Sequence, residues 1–283
     1  MRYRFLRFPE GKFKALTLSY DDGVTQDLKL AEIINKYGIK ATFNINSKHM
    51  GSNPIRLSAE DIKKYLLDTG HEVAVHGADH IAPGKATAVD GINDVLECRK
   101  MHERSFGKII HGMAYPDSGI IQIVGGASYE EIRQYLKMLG ITYSRTLCGD
   151  NNNFDMPSDW YSWVPTAHHN NPKLMDWLDE FINLKVAEYS AKAVPKLFYL
   201  WGHSYEFDNN NNWDVIEEFC KKTSTANDIW FATNIEIYEY ENAYRSLQFN
   251  VDNTMVYNPT LIDVWFYADG KIHCVKSGET LEF

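Results

Sequence analysis

The sequence predicts an α/β domain with a parallel sheet, closed as a barrel and followed by a small β appendage. Short apolar runs alternate with segments of helical periodicity, and the connections between them are short. About seven such units occur without a Gly-x-Gly-x-x-Gly after the first strand, which favours a barrel over a dinucleotide-binding fold. After Leu247 the helical periodicity stops, and strand-like runs flank a turn at 268–270.

The predicted strands are short runs rich in β-branched and apolar residues. The first, 15–20, stops at the turn sequence Asp-Asp-Gly, and the third, 72–75, leads into His-Gly-Ala-Asp-His at 76–80. In chain order the strands are expected at 15–20, 40–46, 72–75, 109–115, 141–145, 196–201 and 229–233.

The predicted helices lie between these strands, where apolar residues recur at intervals of three and four. Gly38 and Gly140 follow two of the expected helix ends, and Ser58 with Asp61 gives the N-cap pattern of another. In chain order the helices are expected at 27–37, 58–67, 88–106, 128–139, 173–191, 213–222 and 234–246. We therefore expect a barrel over 1–246 and an appendage over 247–283, with strands at 249–257, 262–267 and 271–275.

Composition and charge narrow the function classes. The 283 residues are 44% hydrophobic and 24% charged, which is ordinary for a globular protein. The formal net charge of −9 and the lack of a basic stretch argue against a nucleic-acid partner. The cysteines lie far apart without a Cys-x-x-Cys, so neither a thiolate zinc site nor a disulfide framework is indicated. Because no secretory signal or membrane-length apolar run is visible, we expect a cytoplasmic chain without a membrane span.

Polar residues collect at the carboxyl ends of the predicted strands. Active sites of α/β barrels lie at this end, in the loops that follow the strands. Each residue alone has an ordinary explanation, since Asp-Asp-Gly is a common turn and a chain with 10 histidines contains chance pairs. Their shared position instead predicts one pocket, formed by Asp21, Asp22, His76, His80, Tyr115, Pro116, Asp117, Arg145 and His203.

Two imidazoles and one carboxylate in this set suit a catalytic metal ion. Such a facial triad leaves coordination positions open for water and substrate, and it fits zinc, iron, cobalt or nickel. A bound metal lowers the pKa of water from about 16 to about 7 and polarises a carbonyl. A second carboxylate can accept the proton of that water, and a histidine opposite it can protonate a leaving amine.

Four sequence segments resemble motifs of the polysaccharide deacetylase family, also called the NodB-homology domain or carbohydrate esterase family four. Leu18–Gly23 resembles the first motif, His76–His80 the second, Ala114–Pro116 the third and Tyr199–His203 the fifth. Their order and strand placement agree with the family over residues 13–240. The resemblance implies a distorted (β/α)7 barrel and metal-dependent removal of N- or O-acetyl groups from carbohydrates.

Carried over residue by residue, the resemblance implies a complete catalytic set. Asp21 would be the catalytic base, and His203 would be the general acid. Asp22, His76 and His80 would hold a divalent metal, with zinc as the first candidate.

The third motif and its neighbours imply the substrate contacts. A backbone N–H near Pro116 and Asp117 would stabilise the oxyanion, beside Tyr115. Trp201 would wall the pocket for the acetyl methyl group. Trp160 would line the site if Asp159-Trp160 is the family's fourth motif.

Two departures from the family pattern leave alternatives open. Ala114 stands where the third motif usually carries an arginine that orients the base. Arg145, at the next strand end, either supplies that guanidinium or forms an ordinary surface ion pair. The carboxylate that tunes the acid histidine is Asp155 or Asp159, or both are plain loop residues.

The long segment 151–172 allows two interpretations. Its aromatic and polar residues, among them Trp163, His168 and His169, suit stacking on a sugar ring or a packed surface lid.

The leading hypothesis is a metal-dependent deacetylase whose substrate is an acetylated sugar or oligosaccharide. The first alternative is the same hydrolytic chemistry on a non-carbohydrate amide or a cyclic imide, which the variant third motif permits. The second is a catalytically silent barrel that binds glycans. Silent relatives are expected to lose the base or a metal ligand, and this sequence keeps Asp21 and all three ligand positions.

Overall fold

The computed structural model describes residues 3–147, 149–186 and 193–283, and a curled parallel sheet surrounded by helices confirms the predicted distorted (β/α)7 barrel. The strands are β1 Arg4–Arg7, β2 Lys14–Asp21, β3 Ala41–Ile45, β4 Glu72–Val75, β5 Gly112–Ala114, β6 Tyr143–Arg145, β7 Ala167–His168, β8 Lys196–Gly202, β9 Ile229–Phe231, β10 Gln248–Phe249, β11 Met255–Tyr257, β12 Val264–Ala268, β13 Lys271–Val275 and β14 Thr280–Glu282. The α-helices are α1 Gln26–Lys36, α2 Ala59–Tyr65, α3 Ala88–Phe106, α4 Tyr129–Met138, α5 Leu174–Asn183, α6 Tyr205–Asn209, α7 Trp213–Ser224 and α8 Asn234–Arg245.

The barrel sheet is parallel throughout its paired strands. Its order is β6-β5-β4-β3-β2-β8-β7, and β9 pairs with the first residues of β2. All seven predicted barrel strands are present, although β3, β5, β6 and β9 are shorter than expected. Parallel strands place their carboxyl ends at one edge of the sheet, so the polar residues that follow β2, β4, β5, β6 and β8 share one face of the barrel.

The segment from Trp163 to His169 completes the sheet between β6 and β8. Trp163 N–H donates to Ser144 O at 3.0 Å on one side, and His169 N–H donates to Trp201 O at 2.9 Å on the other. The segment 151–172, for which the sequence allows a sugar-stacking loop or a packed lid, therefore contains the short strand β7. Trp163 is buried in the core rather than presented to solvent.

The helices pack on the sheet through apolar faces. In α1 the buried side chains Leu30, Ile33 and Ile34 follow the helical spacing seen in the sequence. They join a core that includes Phe43 and Phe198 on the sheet. The fifth predicted helix, 173–191, ends earlier than expected: α5 stops at Asn183, since Leu184 has an extended backbone. The last part of that expectation, 187–191, lies outside the described residues.

The C-terminal region forms two small antiparallel sheets, β1-β12-β13 and β10-β11-β14. The sequence predicted its β character but missed β1, which comes from the opposite end of the chain and pairs Arg4 with Ala268. Val256 and Phe266 are buried here and pack in one cluster with Ala243 of α8. The division at residue 246 stays a prediction. Within the described ranges, no helix has the length and apolarity needed to cross a bilayer.

Candidate active site

A sharp turn at the end of β2 separates the two neighbouring aspartates. Asp21 is the last residue of the strand, and Asp22 has a φ of 86°. A positive φ is uncommon for a residue other than glycine and is typical of a functional constraint. Asp22 N–H donates to Asn44 O at 2.9 Å, which holds the turn against β3. As a result, the Asp21 carboxylate contacts Arg145, whereas the Asp22 carboxylate lies near His76 and His80.

The loop after β4 folds back so that His76 and His80 face each other. Gly77 has a φ of 75°, His80 has a φ of 60°, and the two imidazole centroids lie 4.9 Å apart. Asp94 of α3 fixes this loop by accepting the N–H of Asp79 at 2.6 Å. A Cβ at position 77 would collide with the Asp94 carboxylate, so the loop requires glycine there.

Asp22, His76 and His80 offer three ligand atoms to one point. Asp22 Oδ1 lies 3.9 Å from His76 Nε2 and 3.7 Å from His80 Nε2, and the three ligand atoms lie within 4.8 Å of one another. His76 Nδ1 lies 2.9 Å from Ala114 O, so it carries the proton and leaves the lone pair on Nε2. Burial lowers the pKa of His76, which favours the neutral form that a metal needs. This donor set fits a zinc-like divalent cation.

Asp21 lies in a buried pocket of positive and polar groups. Its side chain accepts an ion-pairing hydrogen bond from Arg145 Nη2 and a second one, of 2.8 Å, from Asn44 Nδ2. Burial raises the pKa of the Asp21 carboxyl, but Arg145 and the nearby imidazoles outweigh burial and hold the pKa below its usual value. The carboxylate is therefore held ionised, with His76 Nε2 3.9 Å and His203 Nε2 4.0 Å from Oδ2.

Arg145 is a buried ion-pair partner and not a surface one. It ends β6, its side chain is 0% exposed, and its guanidinium lies 4.5 Å from the ring centroid of Trp201. Ala114 is buried on β5, and its carbonyl oxygen accepts a hydrogen bond from His76 Nδ1. The guanidinium of Arg145, on β6, thus contacts Asp21, the aspartate that an arginine at position 114 on β5 would orient in the family pattern.

His203 follows β8, and Glu206 contacts its ring. His203 Nδ1 lies 3.1 Å from Glu206 Oε1, one helical turn further along the chain. Burial lowers the pKa of His203, but the Glu206 hydrogen bond and the two aspartates outweigh it and raise the pKa above its usual value. The sequence missed Glu206, although the spacing of three residues in a short helical segment was a usable signal.

The two carboxylates expected to support His203 are engaged elsewhere. Asp155 pairs with Lys196 at 2.5 Å. Asp159 accepts the hydroxyl of Tyr129 at 2.5 Å. Both lie in the polypeptide before β7, where their partners hold them. The structure therefore agrees with the alternative that both are loop residues, and not with a role in tuning the acid histidine.

The expected substrate-binding residues divide into two groups. Trp201 lies beside the Asp21–Arg145 pair, and Asp117 is an exposed rim residue whose carboxylate pairs with Lys85 at 2.5 Å. Asp117 has a φ of 46°, and its N–H meets no acceptor in the ranges that the structure describes. Pro116, next to it, is buried.

Tyr115 and Trp160 face other parts of the protein. The Tyr115 N–H donates to Arg145 O at 3.0 Å, and its hydroxyl donates to Tyr161 O at 2.8 Å, so both of its donors are used internally. Trp160 packs edge-on against Trp163 and Tyr238, with ring centroids 4.8 and 5.0 Å away. The structure does not bring Trp160 to the aspartate–histidine cluster.

Comparison with known families identifies the segment that carries most of this site. A family model described as polysaccharide deacetylase matches residues 8–144. The resemblance to the polysaccharide deacetylase family is confirmed. The matched segment includes Asp21, Asp22, His76 and His80, and it ends just before Arg145. No curated protein matches the sequence significantly.

Two solved structures share the fold of this chain, and a third is similar over part of it. A polysaccharide-deacetylase-type protein from Mycobacterium smegmatis is 15% identical, with a TM-score of 0.58 over 85% of this chain and 94% of that one. A family 4 acetyl xylan esterase from Clostridium thermocellum, in complex with a cobalt ion, is 13% identical, with a TM-score of 0.50 over 81% and 92%. The Streptococcus pyogenes deacetylase PplD, in complex with acetate, is 16% identical, with a TM-score of 0.41 over 45% of this chain and 54% of that one. This chain therefore spans about half the length of PplD.

Proposed function

We propose that this protein is a metal-dependent hydrolase that removes acetyl groups from a carbohydrate. The observation that carries the proposal is the position of Asp21. Its carboxylate lies between the candidate metal ligands and His203, and a buried guanidinium holds it ionised. A base, three ligands and an acid within one pocket are the parts that hydrolysis of an acetyl amide or ester requires.

Asp22, His76 and His80 would hold the metal, for which we propose zinc. When bound, a zinc ion would polarise the acetyl carbonyl and lower the pKa of a water molecule. The left-handed backbone of Asp22 and His80 supports this assignment, because such conformations persist where the surrounding structure enforces them for function.

Asp21 and His203 would move the protons. An Asp21 oxygen would accept a proton from the attacking water, while Arg145 keeps that carboxylate charged and oriented. His203 would donate its Nε2 proton to the leaving sugar nitrogen or oxygen as the C–N or C–O bond breaks. The free N–H of Asp117 would donate to the developing oxyanion, and Trp201 would pack against the acetyl methyl group.

The direct test measures acetate released from N-acetylglucosamine oligomers by zinc-loaded and chelator-stripped protein. We expect release only with metal, and neither metal nor release from His76→Ala/His80→Ala. Zinc retained by that double variant would exclude the proposed ligands. Bound metal without acetate release, but with turnover of a cyclic imide or another amide, would keep the chemistry and reject the carbohydrate substrate. Glycan binding with no turnover of any substrate would favour the silent barrel.

A further inference from the structure

Glu206 is the centre of a cluster of imidazole and amide nitrogens on the far side of His203. Its Oε1 lies 3.1 Å from His203 Nδ1. Its Oε2 lies 3.2 Å from His168 Nε2, 2.9 Å from His169 Nε2 and 2.9 Å from Asn170 Nδ2. One carboxylate oxygen therefore serves His203, and the other is surrounded by nitrogen atoms of the segment that contains β7.

The tautomer of His168 follows from its second contact. Asn170 N–H donates to His168 Nδ1 at 3.1 Å, so Nδ1 presents a lone pair. A neutral imidazole then carries its proton on Nε2, which faces Glu206. The Nε2 proton of His168 therefore lies beside the carboxylate, at a nitrogen-to-oxygen distance of 3.2 Å. Its ring also contacts Trp201 edge-on, with centroids 4.6 Å apart.

His169 is held more tightly than His168. Its side chain is 0% exposed and lies between two rings, with centroid distances of 5.7 Å to Tyr20 and 4.1 Å to Phe207. A Cβ at Gly202 would overlap the His169 ring, so the imidazole rests directly on the backbone that precedes His203. The His169 ring cannot swing away from Glu206 without repacking this core.

His168, His169 and Glu206 also have the composition of a metal site, since their ligand atoms lie within 4.8 Å of one another. The His168 tautomer argues against a metal there. A metal on Nε2 would require the proton to move to Nδ1, where the Asn170 N–H already points. The carboxylate instead accepts hydrogen bonds from His203 and from the Asn170 amide. Burial raises the pKa of Glu206, but the three neighbouring imidazoles outweigh it and hold the pKa well below its usual range.

We propose that His168 and His169 lock Glu206 in one orientation, and that Glu206 in turn holds His203 as the proton donor of the reaction. Glu206, His168 and His169 are thus positioning residues, and within this cluster only His203 would contact the substrate. This inference rests on the proposed function. It explains how the chain supports its acid histidine without Asp155 or Asp159. The support comes from a carboxylate on the short helix α6, which follows His203, and from the segment of β7.

The test compares Glu206→Gln with Glu218→Gln, which removes an equal charge from an exposed position on α7. We expect Glu206→Gln to keep one equivalent of zinc and its KM. We expect kcat to fall about tenfold to 100-fold, part of the factor that general acid catalysis contributes. The alkaline limb of the kcat profile should move to lower pH, because His203 loses its proton more readily without the anion. His168→Gln, whose amide can still donate, should retain more activity than His168→Leu.

A second readout does not depend on turnover. The titration of the His203 imidazole, followed by NMR in the zinc-loaded protein, should shift to lower pH in Glu206→Gln and stay unchanged in Glu218→Gln. An unshifted titration in an active enzyme would refute the role of Glu206. A shifted titration in a protein that releases no acetate would keep the cluster and reject the function. A second zinc equivalent, lost in Glu206→Gln, would show that the cluster is a metal site and overturn the inference.

Discussion

Replacing Arg145 with Met tests how the base is held, because it leaves the buried Asp21 without its cation. Arg145 is 0% exposed and Asp21 is 2% exposed, so the pair is shielded from water. Removing one partner of such a pair typically costs about 3–5 kcal/mol. Asp21 keeps its 2.8 Å hydrogen bond from Asn44, so we expect the lower end, about 3 kcal/mol. If the transition state loses the same interaction, kcat/KM falls roughly 100-fold.

The assay combines urea denaturation with acetate release at matched zinc content. Arg145→Lys keeps a charge but loses the planar guanidinium that lies over Trp201, so it should fall between Arg145→Met and the parent. Arg104→Met is the control, since Arg104 is exposed on α3 and its replacement should change stability by less than about 0.5 kcal/mol. Parent-like turnover and stability in Arg145→Met would refute our account of the base.

Three further predictions concern the ligands, the loop and the base of the barrel. His80→Ala should lower zinc affinity at least tenfold while the fold remains, as measured by competition with a chromophoric chelator and circular dichroism; unchanged affinity would remove His80 from the ligand set. Gly77→Ala should weaken zinc binding, because its Cβ would collide with the Asp94 carboxylate. The control Gly38→Ala, with a φ of 66° and open space around it, should lose only about 1–2 kcal/mol of stability and keep its zinc affinity. Equal zinc affinities in the two variants would show that the Asp94 contact does not matter for the site. Burial raises the pKa of Glu72 to about 7, so the folded state keeps a proton that the unfolded state releases, and stability should fall by roughly 2–3 kcal/mol between pH 4.5 and 7. Glu72→Gln should flatten that slope in urea titrations, and an unchanged slope would assign it to other groups.

The sequence predicted the barrel because its long parallel strands carry a strong local pattern. Lys14–Asp21 is buried along its whole length, and Lys196–Gly202 contains the apolar run Leu-Phe-Tyr-Leu-Trp; each strand ends in a polar site residue or just before one. The grouping of Asp21 with His76 and His203 was predictable for the same reason. The carboxyl ends of parallel strands lie at the same edge of the sheet, and this does not depend on the conformation of the loops that follow them.

What the sequence missed depends on contacts between distant residues. β7 is two residues long, and it is defined by hydrogen bonds to β8 rather than by any alternation of its own. The five-residue helix α6 is too short to form alone, and it is held by the burial of Phe207. Both elements carry the Glu206 cluster, so the support of His203 was attributed to the wrong carboxylates. The prediction that Trp160 lines the site was wrong for a similar reason. Its contact with Tyr238 of α8 joins residues far apart in the sequence and leaves no local sequence pattern.

Asp21→Asn tests the central claim most directly, with zinc content and acetate release measured on the same preparation. The amide keeps the shape of the side chain and leaves Asp22, His76 and His80 untouched. We predict near one equivalent of zinc, as in the parent protein, and a loss of turnover of at least 100-fold, because no carboxylate remains to accept the proton of water. Parent-like turnover with zinc bound would show that Asp21 is not the base and would contradict the mechanism.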